Sequence, residues 1–161
     1  MMLTQSRLKE LLHYDPETGV FTRATKRFGI RVGDIAGNIY KGYVRIKVDN
    51  KLYRAHRLAF LYMLGTWPED QVDHIDLCRA NNIWANLREA THAQNQHNTQ
   101  KPKRNKSGYK GVYFAKDRAK YRAEIRINKK STRLGQFNTP EEAYEAYCAA
   151  AKIYHKEFAR I

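Results

Sequence analysis

Apolar side chains recur at helical spacing in two segments within the first 64 residues. Residues 3–12 place their leucines on roughly one face and predict a short helix, which Thr4 can cap. Residues 56–64 predict a second helix from the same kind of spacing. We expect this helix to end at Trp67-Pro68, because the residue before a proline is biased away from the helical conformation.

Between these helices, residues 42–56 alternate apolar and polar side chains and predict a β-hairpin. Asp49-Asn50 supplies its turn. The apolar face consists of Val44, Ile46 and Val48, and the opposite face of Tyr43, Arg45 and Lys47. This basic outer face suits contact with phosphate and equally suits exposure to solvent. Upstream, residues 15–19 have turn chemistry, and an extended segment begins at Val20.

The C-terminal third has a different pattern, with short extended runs followed by one long helix. The runs cover residues 109–114, 121–128 and 132–137. Thr139 and Glu142 form a capping box around Pro140, which marks the start of the helix. One face of this helix is rich in alanine, so the helix can lie close to a sheet. The pattern predicts a compact α+β module of three strands and one helix.

Charge narrows the class of partner. The chain has 161 residues with 30 Lys+Arg against 16 Asp+Glu, a net charge of +14, and the basic residues recur through nearly its whole length. This balance favours a polyanionic partner. Cys78 and Cys148 offer no disulfide framework, and we expect no disulfide partner and a reducing interior. We expect a soluble protein with no membrane contact, since we find no signal peptide and no apolar run of about 20 residues.

Four residues within one short stretch carry the candidate chemistry: Asp73, His74, Asn86 and Asn95. A neutral imidazole can take a proton from water near pH 7. Carboxylate and amide oxygens are hard ligands of the kind that Mg²⁺ accepts. Such a set can cut a phosphodiester with one hard metal ion. Each residue alone is weak evidence; the combination and its spacing in a basic chain make the prediction.

These residues, with gaps of 12 from His74 to Asn86 and 9 from Asn86 to Asn95, resemble the HNH nuclease motif whose third residue is Asn. The spacing is similar to that of free-standing HNH homing endonucleases of bacteriophages. The resemblance implies a ββα-metal core, in which a hairpin packs on a helix and Asp73-His74 ends the first strand of the hairpin. It also implies double-stranded DNA as the substrate, a 5′-phosphate and a 3′-hydroxyl in the products, and a phage-encoded enzyme in the cytoplasm of a bacterial host.

The same resemblance assigns roles to the residues. His74 would deprotonate the attacking water, and Asn86 would hold the loop or the imidazole in position. Asp73 and Asn95 would bind one Mg²⁺ or Mn²⁺ ion. Arg88 would contact a phosphate at the active strand, with Arg79 as a weaker candidate.

Other interpretations of this stretch stay open. His74, Cys78, His92 and His97 could form a zinc site, although the two Cys-x-x-Cys pairs usual for structural zinc in HNH proteins are absent. A non-catalytic DNA-binding regulator with a degenerate nuclease domain is the alternative function, and an RNA-binding module is a third. His56 is favoured as a buried histidine near the active hairpin over a phosphate contact.

The C-terminal module resembles the plant ethylene-response-factor (APETALA-type) DNA-binding domain over nearly all of residues 108–158. The resemblance lies in Gly111-Val112-Tyr113, Tyr121 to Arg126, Leu134 to Phe137 and the Glu-Glu-Ala run at 141–143. In that family the sheet enters the major groove. DNA contact is thereby expected at Lys110, Tyr113, Glu124, Arg126 and Arg133. The alternation of the strand places Arg122 on the same polar face as Glu124 and Arg126, so contact is expected there too. Plant members usually have Arg at the position of Tyr113 and Trp at that of Arg133, so their sequence preference is not transferred.

The predicted organisation is therefore α+β throughout. A nuclease domain covers residues 1–100, with its ββα-metal core at about 70–100. A basic linker follows at 101–107, where Lys103 and Arg104 are expected to track the DNA backbone. The DNA-binding domain covers residues 108–161. A single active site suits a monomer on DNA and naturally nicks one strand.

Overall fold

The computed structural model describes residues 2–26, 29–99, 104–127 and 129–161. The chain divides into two compact units, Met1–Thr91 and His92–Ile161. The predicted division, with a linker at 101–107, remains a prediction, and residues 101–103 lie outside the described residues. No helix in the described ranges is long and apolar enough to cross a membrane.

The first unit is built from small antiparallel sheets and two helices. Its elements are α1 (Gln5–Leu11), β1 (Leu12–Tyr14), β2 (Phe21–Arg23), β3 (Asn38–Tyr40), β4 (Tyr43–Val48), β5 (Lys51–Arg54), α2 (Ala55–Leu64), β6 (Gln71–His74) and β7 (Leu87–Ala90). Strands β1 and β2 form one pair, β3, β4 and β5 one sheet in that order, and β6 and β7 a second pair. The mixed α+β class predicted from the sequence is confirmed.

The N-terminal helix is shorter than predicted. Thr4 caps it as expected, with its hydroxyl oxygen accepting a hydrogen bond from the Arg7 amide at 3.3 Å. The helix ends at Leu11, because Leu12 is already extended and begins β1, where it pairs with Arg23. The apolar spacing at 3–12 therefore continues from a helix into a strand, with Leu8 and Leu12 both fully buried in the same core.

The hairpin at 42–56 is present as β4 and β5. Asp49 and Asn50 both adopt positive φ, at 44° and 66°, which a two-residue hairpin turn requires. Ile46 and Val48 point into the core, as their alternation predicted. Strand β3 pairs with the other edge of β4, which the sequence pattern did not predict.

The second helix ends earlier than Trp67-Pro68. Gly65 adopts a left-handed conformation, with φ of 77°, and its amide donates to the carbonyl oxygen of Leu61 at 3.1 Å. This is a glycine C-cap, which stops the helix before the proline can act. The predicted helical range is confirmed to its last residue, Leu64, whereas the assignment of the stop to Trp67-Pro68 was wrong.

The turn at residues 15–19 braces the loop between β6 and β7. Tyr14 donates its buried hydroxyl to the carbonyl oxygen of Asn82 at 2.7 Å, and the Trp84 amide donates to Pro16 at 2.9 Å. Gly19 has φ of 71°, and a Cβ at this position would overlap the backbone of Asn82. Only glycine satisfies both requirements, so the N-terminal turn fixes a segment more than 60 residues away.

The second unit contains α3 (His92–His97), β8 (Val112–Ala115), β9 (Lys120–Ile127), β10 (Lys130–Phe137) and α4 (Pro140–Tyr154). The strands form an antiparallel sheet in the order β10-β9-β8, and α4 packs on it. The capping box is confirmed, because the Thr139 hydroxyl accepts from the Glu142 amide at 3.2 Å and the Glu142 carboxylate accepts from the Thr139 amide at 3.4 Å.

Small residues let α4 lie close to the sheet. Val112, Ala123 and Ala143 are fully buried together. Gly111 has φ of 74°, and a Cβ there would overlap the ring of Tyr147. Each strand differs by one to three residues from its predicted range, and residue 128, the last of the second predicted run, lies outside the described residues.

Candidate active site and nucleic-acid interface

The β6–β7 hairpin carries the first two candidate residues at the end of its first strand. Asp73 and His74 are the last residues of β6, opposite Arg88 and Leu87. Both polar side chains are buried, at 3% and 5% exposure. The predicted position of the Asp-His pair at the end of a strand is therefore observed.

Arg88 forms an ion pair with Asp73. Its Nε and Nη2 donate to the Asp73 Oδ2 at 2.9 and 2.8 Å, and the side-chain exposures are 17% for Arg88 and 3% for Asp73. The two donors of this largely buried ion pair fix the orientation of the carboxylate. Removing either partner would be costly, because the remaining buried charge would lose this compensation. In this structure Arg88, predicted as a phosphate contact, is engaged with the neighbouring carboxylate.

Asn86 closes the loop that follows His74. It ends a short 3₁₀ turn at Trp84–Asn86 just before β7. Its amide nitrogen donates to the Asp76 Oδ1 and to the carbonyl oxygen of Asn81, both at 2.9 Å. Its amide oxygen accepts from the backbone amide of Asp76 at 3.0 Å. Of the two roles expected for Asn86, these contacts correspond to holding the loop.

Burial favours a neutral imidazole at His74. Desolvation lowers the pKa of His74 below its ordinary value, while the neighbouring Asn82 and Asp76 oppose the shift. The side chain therefore carries little charge near pH 7, which is the state that a proton acceptor needs. Asn82, which touches both His74 and the Tyr14 brace, is buried at 2% exposure.

His56 packs against His74 from α2. The two ring centroids are 5.0 Å apart at an interplanar angle of 85°, and His56 is 3% exposed. Burial, with smaller contributions from His74 and two arginines, lowers the pKa of His56 to about 3. The predicted buried position of His56 near the active hairpin is confirmed. Its neutral ring covers one side of the His74 imidazole, the candidate base.

Asn95 lies on α3, in the second unit. The assignment of Asp73 and Asn95 as joint metal ligands therefore stays a prediction. In the described part of the chain, no three His, Cys, Asp or Glu side chains form a group that could hold a metal ion. The proposed pair is of another kind, because it combines a carboxylate with an amide oxygen. A buried carboxylate beside a neutral histidine suits a hard cation such as Mg²⁺ by its donor chemistry.

The outer face of the C-terminal sheet, opposite α4, carries most of the residues expected to contact DNA. Tyr113 pairs with Arg122, and Glu124 pairs with Arg133 across the strands. Arg122 and Glu124 form an ion pair at 2.7 Å. The alternating Ala123 and Ile125 are buried against the helix, so the sheet has one polar and one apolar face as predicted. Arg126 is exposed on the same polar face.

Lys110 has a different environment. Its ammonium donates to the carbonyl oxygens of His97 at 2.6 Å and Thr99 at 2.9 Å, at the C-terminal end of α3. Burial, with a smaller contribution from Arg160, lowers the pKa of Lys110 to about 8. The amine thus caps a helix end within its own unit. Of the two expected linker contacts, Arg104 is exposed and Lys103 lies outside the described residues.

Comparison with known proteins matches both the segment with the candidate active site and the C-terminal sheet and helix to a protein family. Residues 53–97 match the model of the HNH endonuclease family, and residues 107–157 match that of the AP2 domain. No curated protein matches the chain. Among solved structures, the HNH homing endonuclease I-HmuI, in a study of its DNA binding and cleavage, is 27% identical with a TM-score of 0.42. That match covers 55% of this chain and 51% of I-HmuI, so the chain spans about half of its relative's length.

The chain therefore combines a nuclease-type motif with a second module of another family. More specifically, it carries an HNH endonuclease domain followed by an AP2 domain, and both resemblances seen in the sequence are confirmed. Sequence reasoning missed Tyr14, Asn82 and Asp76, whose roles depend on distant or loop contacts with no motif to mark them.

Proposed function

We propose that this protein is a metal-dependent DNA endonuclease of the homing type, which hydrolyses one phosphodiester bond at its HNH site. The observation that carries the proposal is the buried Asp73-His74 pair at the end of β6, in a segment that matches the HNH family. The loop held by Asn86 keeps this strand end in a fixed conformation. The same proposal includes that the enzyme is phage-encoded and acts in the cytoplasm of a bacterial host.

In the proposed reaction, His74 accepts a proton from the attacking water at an imidazole nitrogen. Burial against His56 keeps the imidazole neutral. Arg88 fixes the Asp73 carboxylate for its part in metal binding. When bound by Asp73 and Asn95, one Mg²⁺ or Mn²⁺ ion would stabilise the charge that develops on the phosphate and on the leaving oxygen.

The AP2 domain would hold the DNA. The polar face with Tyr113, Arg122, Glu124 and Arg126 belongs to an antiparallel sheet, and a β-ribbon can enter the major groove. Arg133 lies opposite Glu124 on the neighbouring strand. The net charge of +14 supplies the attraction that is independent of sequence. We propose double-stranded DNA as substrate and a monomer as the acting form.

Incubation of purified protein with supercoiled plasmid tests this function. Nicked or linear product that forms with Mg²⁺ and disappears with EDTA is the expected result. A gel-shift measurement on the same DNA, without metal, reports binding separately. DNA that is bound but never cut, with Mg²⁺ and Mn²⁺ and on several substrates, would contradict the proposal and favour the non-catalytic regulator.

A further inference from the structure

Tyr43, at the start of β4, lies between two arginine side chains. The guanidinium carbon of Arg54 lies 4.4 Å from the centre of the Tyr43 ring, and that of Arg79 lies 5.1 Å from it. Arg54 ends β5, whereas Arg79 belongs to the loop that follows β6. A guanidinium stacked on an aromatic ring keeps its charge and its donors but loses conformational freedom.

The same tyrosine touches the candidate active site. Its ring centroid is 6.2 Å from that of His74 and 5.5 Å from that of His56, and these two histidines are in contact with each other. The Tyr43 ring therefore contacts both arginine side chains and the imidazole of the candidate base, His74. Arg79 also lies next to Gly42, where an added Cβ would be in ordinary van der Waals contact with the Arg79 Cδ at 3.6 Å and Cβ at 3.9 Å.

Arg54 and Arg79 differ from Arg88 in whether a carboxylate compensates their charge. Arg88 is paired with Asp73, whereas within the described residues neither Arg54 nor Arg79 forms an ion pair with a carboxylate. Both are exposed. Through their contacts with the Tyr43 ring, both guanidinium groups lie near the His56-His74 pair. Two positive charges without a carboxylate partner among the described residues thus lie beside the candidate base.

We propose that Tyr43 holds Arg54 and Arg79 as a pair of phosphate ligands that seat the scissile phosphodiester beside His74. The proposal rests on the proposed nuclease function and identifies which chain groups bind its substrate. A guanidinium offers parallel N–H donors that match phosphate oxygens, and these bonds strengthen as charge builds on the phosphate. Tyr43 is a positioning residue in this arrangement, and the two arginines contact the substrate.

A neighbouring pair on the same sheet face provides a matched control. Arg45 pairs with Arg54 across the strands, and its guanidinium carbon lies 3.7 Å from the centre of the Tyr40 ring. It therefore has the same charge and the same kind of stacking. Its tyrosine makes no ring contact with the two histidines among the described residues. Any general effect of surface charge on DNA binding should affect Arg45 and Arg54 alike.

Single-turnover nicking of supercoiled DNA, with excess protein and Mg²⁺, tests the proposal on the full chain. We expect Arg54→Ala and Arg79→Ala each to lower the nicking rate by about 10²-fold. The Kd for DNA without metal should rise only several-fold, as for the loss of about one phosphate contact. Arg45→Ala should change the rate by less than about threefold. Equal losses in all three variants would contradict a local phosphate seat and indicate a general basic surface.

Two substitutions at Tyr43 test its positioning role. Tyr43→Phe keeps an aromatic face for both guanidinium groups and should retain most of the nicking rate. Tyr43→Leu removes that face while keeping an apolar side chain, and should lower the rate as much as loss of one arginine. Circular dichroism of each variant checks that the fold is retained. Equal rates in Tyr43→Leu and the wild type would overturn this role.

A measurement without metal separates this inference from the nuclease proposal. The NMR signals of the arginine Nε–H groups are followed while a short DNA duplex is added to the metal-free protein. We expect the signals of Arg54 and Arg79 to shift more than that of Arg45. If the wild type does not cut DNA but these signals shift, the nuclease proposal fails and the phosphate seat stands. If it cuts DNA without such shifts, the phosphate seat is refuted.

Discussion

Replacement of Arg88 by methionine tests the role of this arginine in the active hairpin. Methionine is of similar length and apolar, so it fills most of the space while removing the guanidinium. The Asp73 carboxylate, only 3% exposed, would then lose the two donors that reach its Oδ2 at 2.9 and 2.8 Å. Breaking a buried pair from one side costs roughly 3–5 kcal/mol. Arg88 is 17% exposed, so we expect the lower part of this range, about 3 kcal/mol.

Urea unfolding followed by circular dichroism measures this loss. Asp73→Asn in the same protein, and the double variant Arg88→Met with Asp73→Asn, complete a double-mutant cycle. Because the double variant buries no charge, it should be more stable than Arg88→Met alone. Arg79→Met is the exposed control and should cost at most about 1 kcal/mol, because it loses only the contact of Arg79 with the Tyr43 ring.

Two results would refute this reasoning. The first is a loss below about 1 kcal/mol for Arg88→Met, which would match an exposed ion pair. The second is additivity of the two single changes, because residues in direct contact should couple. Unchanged stability with weaker DNA affinity would restore the role of Arg88 as a phosphate contact.

Three further predictions follow from the fold and the interface. Gly19→Ala should destabilise the protein by about 2 kcal/mol or more in urea unfolding, because the new methyl overlaps the Asn82 backbone, whereas Gly29→Ala, with φ of 72° and nothing within 4 Å, should cost only about 1 kcal/mol. Because the pKa of His56 is lowered to about 3, below pH 6.5 only the unfolded state binds a proton at this residue, and the stability of the fold decreases as the pH is lowered. Between pH 7 and pH 5 this residue should cost about 2 kcal/mol of stability, and thermal unfolding of His56→Phe should lack this contribution. Arg126→Ala should weaken DNA binding and lower the salt dependence by about one phosphate contact without loss of fold, and unchanged affinity at moderate salt in a gel-shift titration would remove Arg126 from the interface.

Local signals in the sequence predicted the parts of the fold that depend on local chemistry. Asp49-Asn50 forms the hairpin turn, Thr139 and Glu142 form the capping box, and the Asp73-His74 pair ends a strand. In each case the information lies within a few neighbouring residues. The nuclease and DNA-binding motifs were recognised for the same reason, because their residues lie at fixed spacings.

Contacts between distant residues could not be predicted in this way. The hydrogen bond from Tyr14 to Asn82 joins positions 68 residues apart, and nothing near either residue indicates the other. The pairing of Arg88 with Asp73 depends on the register of β6 and β7, which the sequence pattern left open. The stop signal of α2 was misassigned because the glycine signal at Gly65 was overlooked in favour of the later proline.

The nicking rate of His74→Ala, measured in Mg²⁺ under single-turnover conditions, tests the central claim most directly. A general base contributes about 10²–10⁴-fold to a rate, so we expect a loss of this size while the Kd for DNA stays within a few-fold of the wild type. A variant that retains its fold, binds DNA and nicks it at the wild-type rate would contradict the assignment of His74 as the base and, with it, the proposed active site.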